Sequence, residues 1–220
     1  MPRTADEVDR FNYERVFLSK KIQPLAGVDE AGRGPLAGPV TAAAAILPTA
    51  WVESGLPESL SGLNDSKQLT EKKRDQLFEA IVAGDEIDYA IANIDAPEID
   101  QINILQATHA AMNRALAGLT QKPVHALVDG KPVKTLSILQ TAIVKGDSLS
   151  FSIAAASVLA KVSRDRLMLE YDQQYPEYGF ATHKGYGTKQ HLAAIEKHGP
   201  CPIHRLSFAP LKPPPQMELF

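Results

Sequence analysis

Gly27-Val28-Asp29-Glu30-Ala31-Gly32-Arg33-Gly34-Pro35-Leu36-Ala37-Gly38 is the stretch on which the reading of this chain turns. Two adjacent carboxylates close an apolar run, and a glycine-rich loop with a single arginine follows at once. Neighbouring side chains of an extended strand point to opposite faces. Asp29 and Glu30 therefore serve one site only at a strand end, where the chain turns. The glycines let backbone approach a bulky ligand, because they lack Cβ and tolerate positive φ. Carboxylates followed by bare backbone and a guanidinium suit metal-assisted chemistry on a phosphate: metals hold the reacting group, and N–H groups and arginine hold the polyanion. A solvated turn after a strand is the plainer reading. A dinucleotide fingerprint fits poorly. Its G-x-G-x-x-G spacing is exceeded by one residue before Gly38, and residues 40–47, between Pro39 and Pro48, read as readily as a strand as a helix.

Outward from this loop, the elements alternate. Residues 4–20 predict a helix, with Thr4 as its N-cap and Val8, Phe11, Arg15 and Leu18 at helical spacing. Residues 22–29 and 40–47 predict strands. Residues 64–67 read as a polar turn, and Thr70 is expected to cap a helix running through Ile81. A strand over 87–92, a helix over 103–119, strands over 126–130 and 139–144, and an alanine-rich helix over 148–171 follow. Hairpin-like strands first, then strands alternating with helices, indicate an α/β domain with a mixed sheet.

The bulk numbers narrow the function classes. A chain of 220 residues suits one domain, alone or with a small appendage, and a hydrophobic content of 44% is ordinary for a globular core. Cys201 is the only cysteine, which excludes an internal disulfide and a cysteine-based zinc cluster. Residues 6–15 are too charged for a signal peptide, and no apolar run is long enough to span a bilayer. A soluble cytoplasmic protein is expected, with nothing that requires more than a monomer. The net charge of -3 argues against a nonspecific nucleic-acid coat. Residues 181–212 are locally basic, with Lys184, Lys189, Lys197, Arg205 and Lys212 against Glu196, and they hold His183, His191, His198 and His204. The segment reads either as a phosphate-contacting surface or as a mixed surface around a terminal helix.

The strand-then-acid pattern of Asp29-Glu30 recurs at Asp129-Gly130 and at Gly146-Asp147-Ser148. Singly, Asp129 reads as a strand terminator and Asp147 as a helix N-cap. Functional groups collect at strand ends in open α/β sheets, so Asp29, Glu30, Asp129 and Asp147 can meet in one pocket. Clustered carboxylates need cations to neutralise them. Mg²⁺ or Mn²⁺, two ions about 3.5–4 Å apart, would serve an in-line phosphoryl displacement.

At this point the chain closely resembles the type 2 ribonuclease H family, ribonuclease HII. The resemblance rests on residues 27–35, Leu63-Asn64-Asp65-Ser66-Lys67, Val128-Asp129-Gly130 and residues 144–148. It continues through residues 153–162, His183-Lys184-Gly185-Tyr186-Gly187-Thr188 and His204-Arg205-Leu206-Ser207-Phe208. It implies an RNase H-like fold: a five-stranded mixed sheet flanked by helices, with a helical C-terminal extension. The expected organisation is an N-terminal helical extension over 1–20, a catalytic domain over 21–170, a substrate-binding extension over 171–212 and a tail over 213–220. It implies cleavage of RNA in RNA/DNA hybrids, and nicking of duplex DNA 5′ of an embedded ribonucleotide. Asp29, Glu30, Asp129 and Asp147 fall on the family's catalytic, metal-binding carboxylates. Gly32, Arg33 and Gly34 fall on the loop that senses the ribose 2′-OH, the group that distinguishes RNA from DNA. Tyr186 falls on the tyrosine that packs against the junction nucleotide, although alone it reads as a buried aromatic. Ser66, Lys67, Lys161, Lys184 and Arg205 become candidates for phosphate contacts, and each also reads as a surface or structural residue. A silent nucleic-acid binder and a metal-dependent nuclease of other specificity are the rival functions on the same fold.

Pro213-Pro214-Pro215 is a stiff spacer before Gln216-Met217-Glu218-Leu219-Phe220. These last residues resemble the short peptide by which bacterial replication proteins bind the DNA sliding clamp. Gln216, Leu219 and Phe220 would make that contact; the alternative is a tail that folds back or frays.

Overall fold

The computed structural model describes residues 9–64 and 69–212. Thr4, Val8, Ser66, Lys67 and the proposed clamp residues Gln216, Leu219 and Phe220 lie outside the described residues. The chain forms α1 (Asn12–Ser19), β1 (Leu25–Ala31), β2 (Val40–Ile46), α2 (Trp51–Ser54), α3 (Glu71–Ala83), β3 (Asp88–Ile94) and α4 (Ala96–Gly118). There follow β4 (His125–Asp129), β5 (Leu139–Ile143), α5 (Phe151–Gln174), α6 (Phe180–His183) and α7 (Lys189–His198). The sheet has five strands in the order β3-β2-β1-β4-β5. β1–β2 and β2–β3 are antiparallel, and β1–β4 and β4–β5 are parallel. This is the mixed sheet expected, flanked by helices.

Small residues explain the layering. Every residue of β2 is buried. Its alanines divide by strand alternation: Ala43 and Ala45 meet Ala154–Ala156 of α5, while Ala42 and Ala44 meet Ala107, Ala111 and Ala115 of α4. Alanine on both partners lets each long helix lie close to the sheet. The approach is tightest at Gly27 in β1, where a Cβ would lie 2.1 Å from the Ser152 carbonyl carbon. The first turn of α5 therefore rests directly on β1.

Three helix starts differ from the sequence reading. The helix expected over 4–20 begins, among the described residues, only at Asn12, with Phe11 in the N-cap position instead of inside the helix. The helix expected over 103–119 is the second half of α4. A first segment, capped by Asp95 Oδ1 accepting from Glu98 N at 3.0 Å, ends where Asn103 adopts φ 65°. Asn103 then caps the continuation by accepting from Leu105 N and Gln106 N. The helix expected from 148 begins at Phe151, because Gly146–Ser148 is a 3-10 turn and Ser150 is the N-cap, accepting from Ile153 N. Asp147 is thus not a helix N-cap. Thr70 caps α3 as expected, accepting from Lys73 N.

Candidate active site

The pairing of β1 explains how adjacent carboxylates reach one site. The strand does not stop at Asp29. It stays paired with β2 to Ala31↔Thr41, but its pairing with β4 ends at Val28↔Val128. From Asp29 onward, β1 is open on the β4 side only. Asp129 ends β4 beside this opening, and Asp129 Oδ1 accepts from Gly146 N at 2.6 Å. That bond ties the turn bearing Asp147 to β4. Lys145 makes the turn possible in the left-handed region, at φ 58°.

Asp29 is 5% exposed. Burial, then the charges of Glu30 and Asp129, raises its carboxyl well above the usual carboxylate range. The Ser157 hydroxyl and the Glu30 amide, which donates at 2.7 Å, pull the other way. Glu30 is half-buried and pairs with Arg33 at 3.3 Å. Asp147 is buried at 4% exposure. Among the described residues, no three Asp, Glu, His or Cys side chains form a group able to hold a metal unaided. The donors are nevertheless oxygens, and the Asp29–Glu30–Asp129 repulsion is of the kind that a cation relieves. The set fits hard divalent ions that complete their shells with water and phosphate oxygens.

Two cavities share Glu30 and Arg33. One, of about 320 Å³, is lined by Asp29, Gly32, Gly34, Ser157, Lys161 and Tyr186. The other, of about 720 Å³, is lined by Asp129, His109, Lys131 and Lys134 among others. His109 is held below its ordinary pKa by burial and then by the facing charge of Arg33.

The glycine-arginine loop is held from behind by two buried guanidinium groups. Arg164 donates to Pro39 O at 2.9 Å and to Ala37 O at 3.1 Å. Arg205 donates to Gly38 O at 2.9 Å, Arg33 O at 3.0 Å and Gly32 O at 2.6 Å. In a trans peptide, C=O and N–H point in opposite directions. With the carbonyls of Gly32 and Arg33 turned toward Arg205, the N–H groups of Arg33 and Gly34 point away from it. Gly32 has φ 89°, and a Cβ there would lie 2.0 Å from Arg164 Nε. Glycine is required at this position on both counts.

The structure separates the remaining candidates. Tyr186 is 47% exposed rather than buried, and a Cβ on Gly34 would lie 3.8 Å from its Cε1. Lys161 lines the smaller cavity and pairs with Asp165 at 2.7 Å. Lys184 donates to Ala181 O at 2.6 Å and closes its own turn. Arg205 requires a correction. It is fully buried and committed to loop carbonyls, so it supports the loop instead of reaching phosphate. Burial, with like-charged Arg164 beside it, lowers Arg205 to about 9, still protonated at neutral pH. The histidines also need correction as a phosphate surface. His183, His191 and His204 are buried, and of the four only His198 is exposed.

Sequence reasoning missed four residues. Arg164 and Ser157 stand on the α5 face toward the loop; the available signal was a cation inside an apolar helix pattern. Arg10 donates to Ser148 O and Leu63 O, each at 3.1 Å. Glu14 Oε1 accepts from Ser150 Oγ at 2.6 Å, Ser152 Oγ at 2.8 Å and Ser152 N at 3.1 Å. Through these two residues the N-terminal segment braces the Asp147 turn and the start of α5. A carboxylate at a helix N-terminus meets its free N–H groups and the positive dipole end. Burial raises the Glu14 carboxyl.

Comparison with known proteins shows the family. The ribonuclease HII family model matches residues 26–211. A ribonuclease HII from Endomicrobium trichonymphae is 55% identical over 202 residues, spanning 91% of this chain and 92% of the relative. One from Geotalea daltonii is 53% identical over 213 residues, spanning 93% and 95%. The crystal structure of ribonuclease H2 from Pyrococcus horikoshii OT3 superposes with a TM-score of 0.69 at 30% identity, covering 85% of this chain and 94% of that one. From β1 through the C-terminal helices, the match takes in Asp29, Glu30, Asp129, Asp147 and the loop in front of Arg205; the chain belongs to the ribonuclease HII family.

Proposed function

We propose that this ribonuclease hydrolyses the RNA strand of RNA/DNA hybrids and nicks duplex DNA on the 5′ side of an embedded ribonucleotide, leaving 5′-phosphate and 3′-OH. The observation that carries this reading is Asp29, whose carboxyl is raised by burial and then by Glu30 and Asp129, beside a loop whose Arg33 and Gly34 N–H groups point away from Arg205. A protein that only bound nucleic acid would place no such acidic pocket against phosphates.

Asp29, Glu30, Asp129 and Asp147 would hold two Mg²⁺ or Mn²⁺ ions. When bound, these supply the charge that acidifies a water and neutralises the leaving 3′ oxygen. The chain's own residues do the rest. Ser157 and the Glu30 amide orient Asp29. The N–H groups of Arg33 and Gly34 present fixed donors to the ribose 2′-OH, the group absent from DNA. Tyr186, across from Gly34, offers a flat apolar face to the junction sugar and base. Lys161 and the Lys131–Lys134 side of the larger cavity supply cations to flanking phosphates. Residues 21–170 would act as the catalytic unit, with 171–212 as its substrate-binding extension.

The test uses end-labelled duplex DNA carrying one ribonucleotide, with Mg²⁺, Mn²⁺ or chelator, beside an all-DNA control. One metal-dependent cut just 5′ of the ribonucleotide is expected. Binding without cutting under every condition favours a silent binder, and cutting of the control favours a nuclease of other specificity. The tail Gln216–Phe220 is proposed to engage a sliding clamp. Its deletion should abolish clamp binding and leave cleavage of a free oligonucleotide unchanged; undiminished clamp binding ends that idea. Among the described residues, no helix is long and apolar enough to cross a membrane. We take the working protein to be a cytoplasmic monomer.

A further inference from the structure

Behind Tyr186 lies a chain of buried imidazoles that neither the carboxylate site nor the glycine-arginine loop uses. His191 and His204 are 0% and 2% exposed. Their Nε2 atoms are 3.0 Å apart. His204 Nδ1 lies 2.9 Å from Cys201 N, and His191 Nδ1 lies 2.9 Å from Tyr186 O. These partners assign every proton. A backbone amide can only donate, so Cys201 N–H occupies His204 Nδ1 as acceptor. Cys201 O, at 3.3 Å the most distant contact of the same nitrogen, accepts from His204 N–H at 2.9 Å, and the Cys201 thiol, 3.1 Å away, can also donate to Nδ1. His204 therefore carries its proton on Nε2 and donates it to His191 Nε2. That leaves His191 protonated on Nδ1, donating to Tyr186 O. Each ring is neutral and each can exist in one tautomer only.

The chain ends on a carbonyl of the substrate-facing turn. Tyr186 O accepts from His191 and also from Thr188 N at 2.8 Å, so both lone pairs are used. Tyr186 N donates to His183 O at 2.9 Å. His183 itself accepts from Gly185 N and donates to Tyr178 O at 2.8 Å. His204, at the far end of this imidazole chain, is followed directly by Arg205, which holds the opposing loop, and Leu36 N donates to Gly185 O at 2.8 Å. Residues 183–205 thus brace both walls of the gap between Gly34 and the Tyr186 ring.

We infer that His204 and His191 are positioning residues for ribonucleotide recognition, acting through the Tyr186 backbone carbonyl to set the ring's distance from the glycine-arginine loop. The inference rests on the proposed role of Tyr186 as the residue against the junction nucleotide. A merely structural histidine pair would stabilise the C-terminal helices without affecting substrate discrimination.

The test has two parts. Nitrogen-15 NMR of the full-length protein at neutral pH should show His204 as the Nε2–H tautomer and His191 as the Nδ1–H tautomer; the reverse tautomer, or a charged ring at either position, overturns the relay. The second part is a double-mutant cycle on the one-ribonucleotide duplex, run well below the melting temperature of each variant. His191→Leu should raise KM about tenfold, the loss expected for one hydrogen bond of ordinary strength, with kcat within about twofold. His191→Asn, which keeps a donor at the Nδ1 position, should recover most of that loss. In a Tyr186→Ala background, His191→Leu should add less than about twofold, because the two residues act as one unit. Additive losses with an effective Tyr186→Ala refute the positioning role alone. A Tyr186→Ala protein with unchanged KM refutes the contact itself, and this inference with it.

Discussion

Arg205→Met tests whether the recognition loop is built from behind. The substitution keeps a long apolar stem in a fully buried position and removes the guanidinium. Three acceptors lose their donor: Gly32 O, Arg33 O and Gly38 O. The contact of Arg205 with the Phe208 ring, 5.1 Å from the centroid, goes as well. A buried acceptor left unsatisfied costs about 1–3 kcal/mol. Water reaches the partly exposed Arg33 carbonyl, so the sum is closer to 4 kcal/mol than to the upper limit, about what breaking a buried charged contact costs. Domains of this size lose roughly 2–4 °C of Tm per kcal/mol, which gives a fall of about 8–16 °C. Arg205→Lys should fall between, since an ammonium restores the charge without the planar fork that reaches three carbonyls. Thermal unfolding by circular dichroism measures the first effect. KM on the one-ribonucleotide duplex, taken well below both melting temperatures, measures loosening of the loop. A Met variant within about 2 °C of the parent and with parental KM would refute the reasoning, since small surface effects alone stay in that range.

Three further outcomes follow from the same geometry. Asp29→Asn should abolish cleavage yet raise Tm in the presence of chelator. The folded state lifts the Asp29 carboxyl above its unfolded value, so its ionised form opposes folding at neutral pH, and the amide removes that opposition; a lower chelated Tm, or near-parental turnover, contradicts the assignment. Gly27→Ala would put its Cβ 2.1 Å from Ser152 C and 2.3 Å from Ile153 N, both backbone atoms. The start of α5 would have to lift from β1 at more than about 4 kcal/mol, so little soluble protein should form, and a soluble variant with parental Tm would show that α5 tolerates the shift. Acidification should weaken the fold through His204, which burial and then neighbouring His191 lower from 6.5 to about 4, with His183 and Cys201 also facing it. The unfolded chain takes up this proton first, so stability is lost as pH falls from about 6.5 to about 4, by roughly 3 kcal/mol in all. Urea midpoints at pH 7 and pH 4.5 should drop less in His204→Gln than in the parent, and equal drops would rule out His204 as the cause.

What the sequence by itself determined is the local grammar. Alternation placed β3, flanking prolines bounded β2, Thr70 marked the start of α3, and an acid after an apolar run marked the end of β4 at Asp129. These features depend on neighbours a few residues apart, and periodicity and capping report such neighbours directly. Asn103 shows the limit of that reading: it does start a helix, but a second helical segment from Asp95 abuts it, and only packing joins the two. Asp147 reads as a cap in isolation; the neighbouring Gly146 amide is instead taken by Asp129, and Ser150 caps the helix. The largest reassignments concern charge. Arg205 and three histidines look like a phosphate-binding surface in a basic segment, whereas tertiary contacts bury them behind the loop and Tyr186. Arg164 beneath Pro39, Arg10 between Ser148 and Leu63, and Glu14 against Ser152 are likewise invisible along the chain. Whether a cation meets solvent, a phosphate or a carbonyl far away in sequence depends on which surfaces close over it. Desolvation sets that choice, and only the folded structure reveals it.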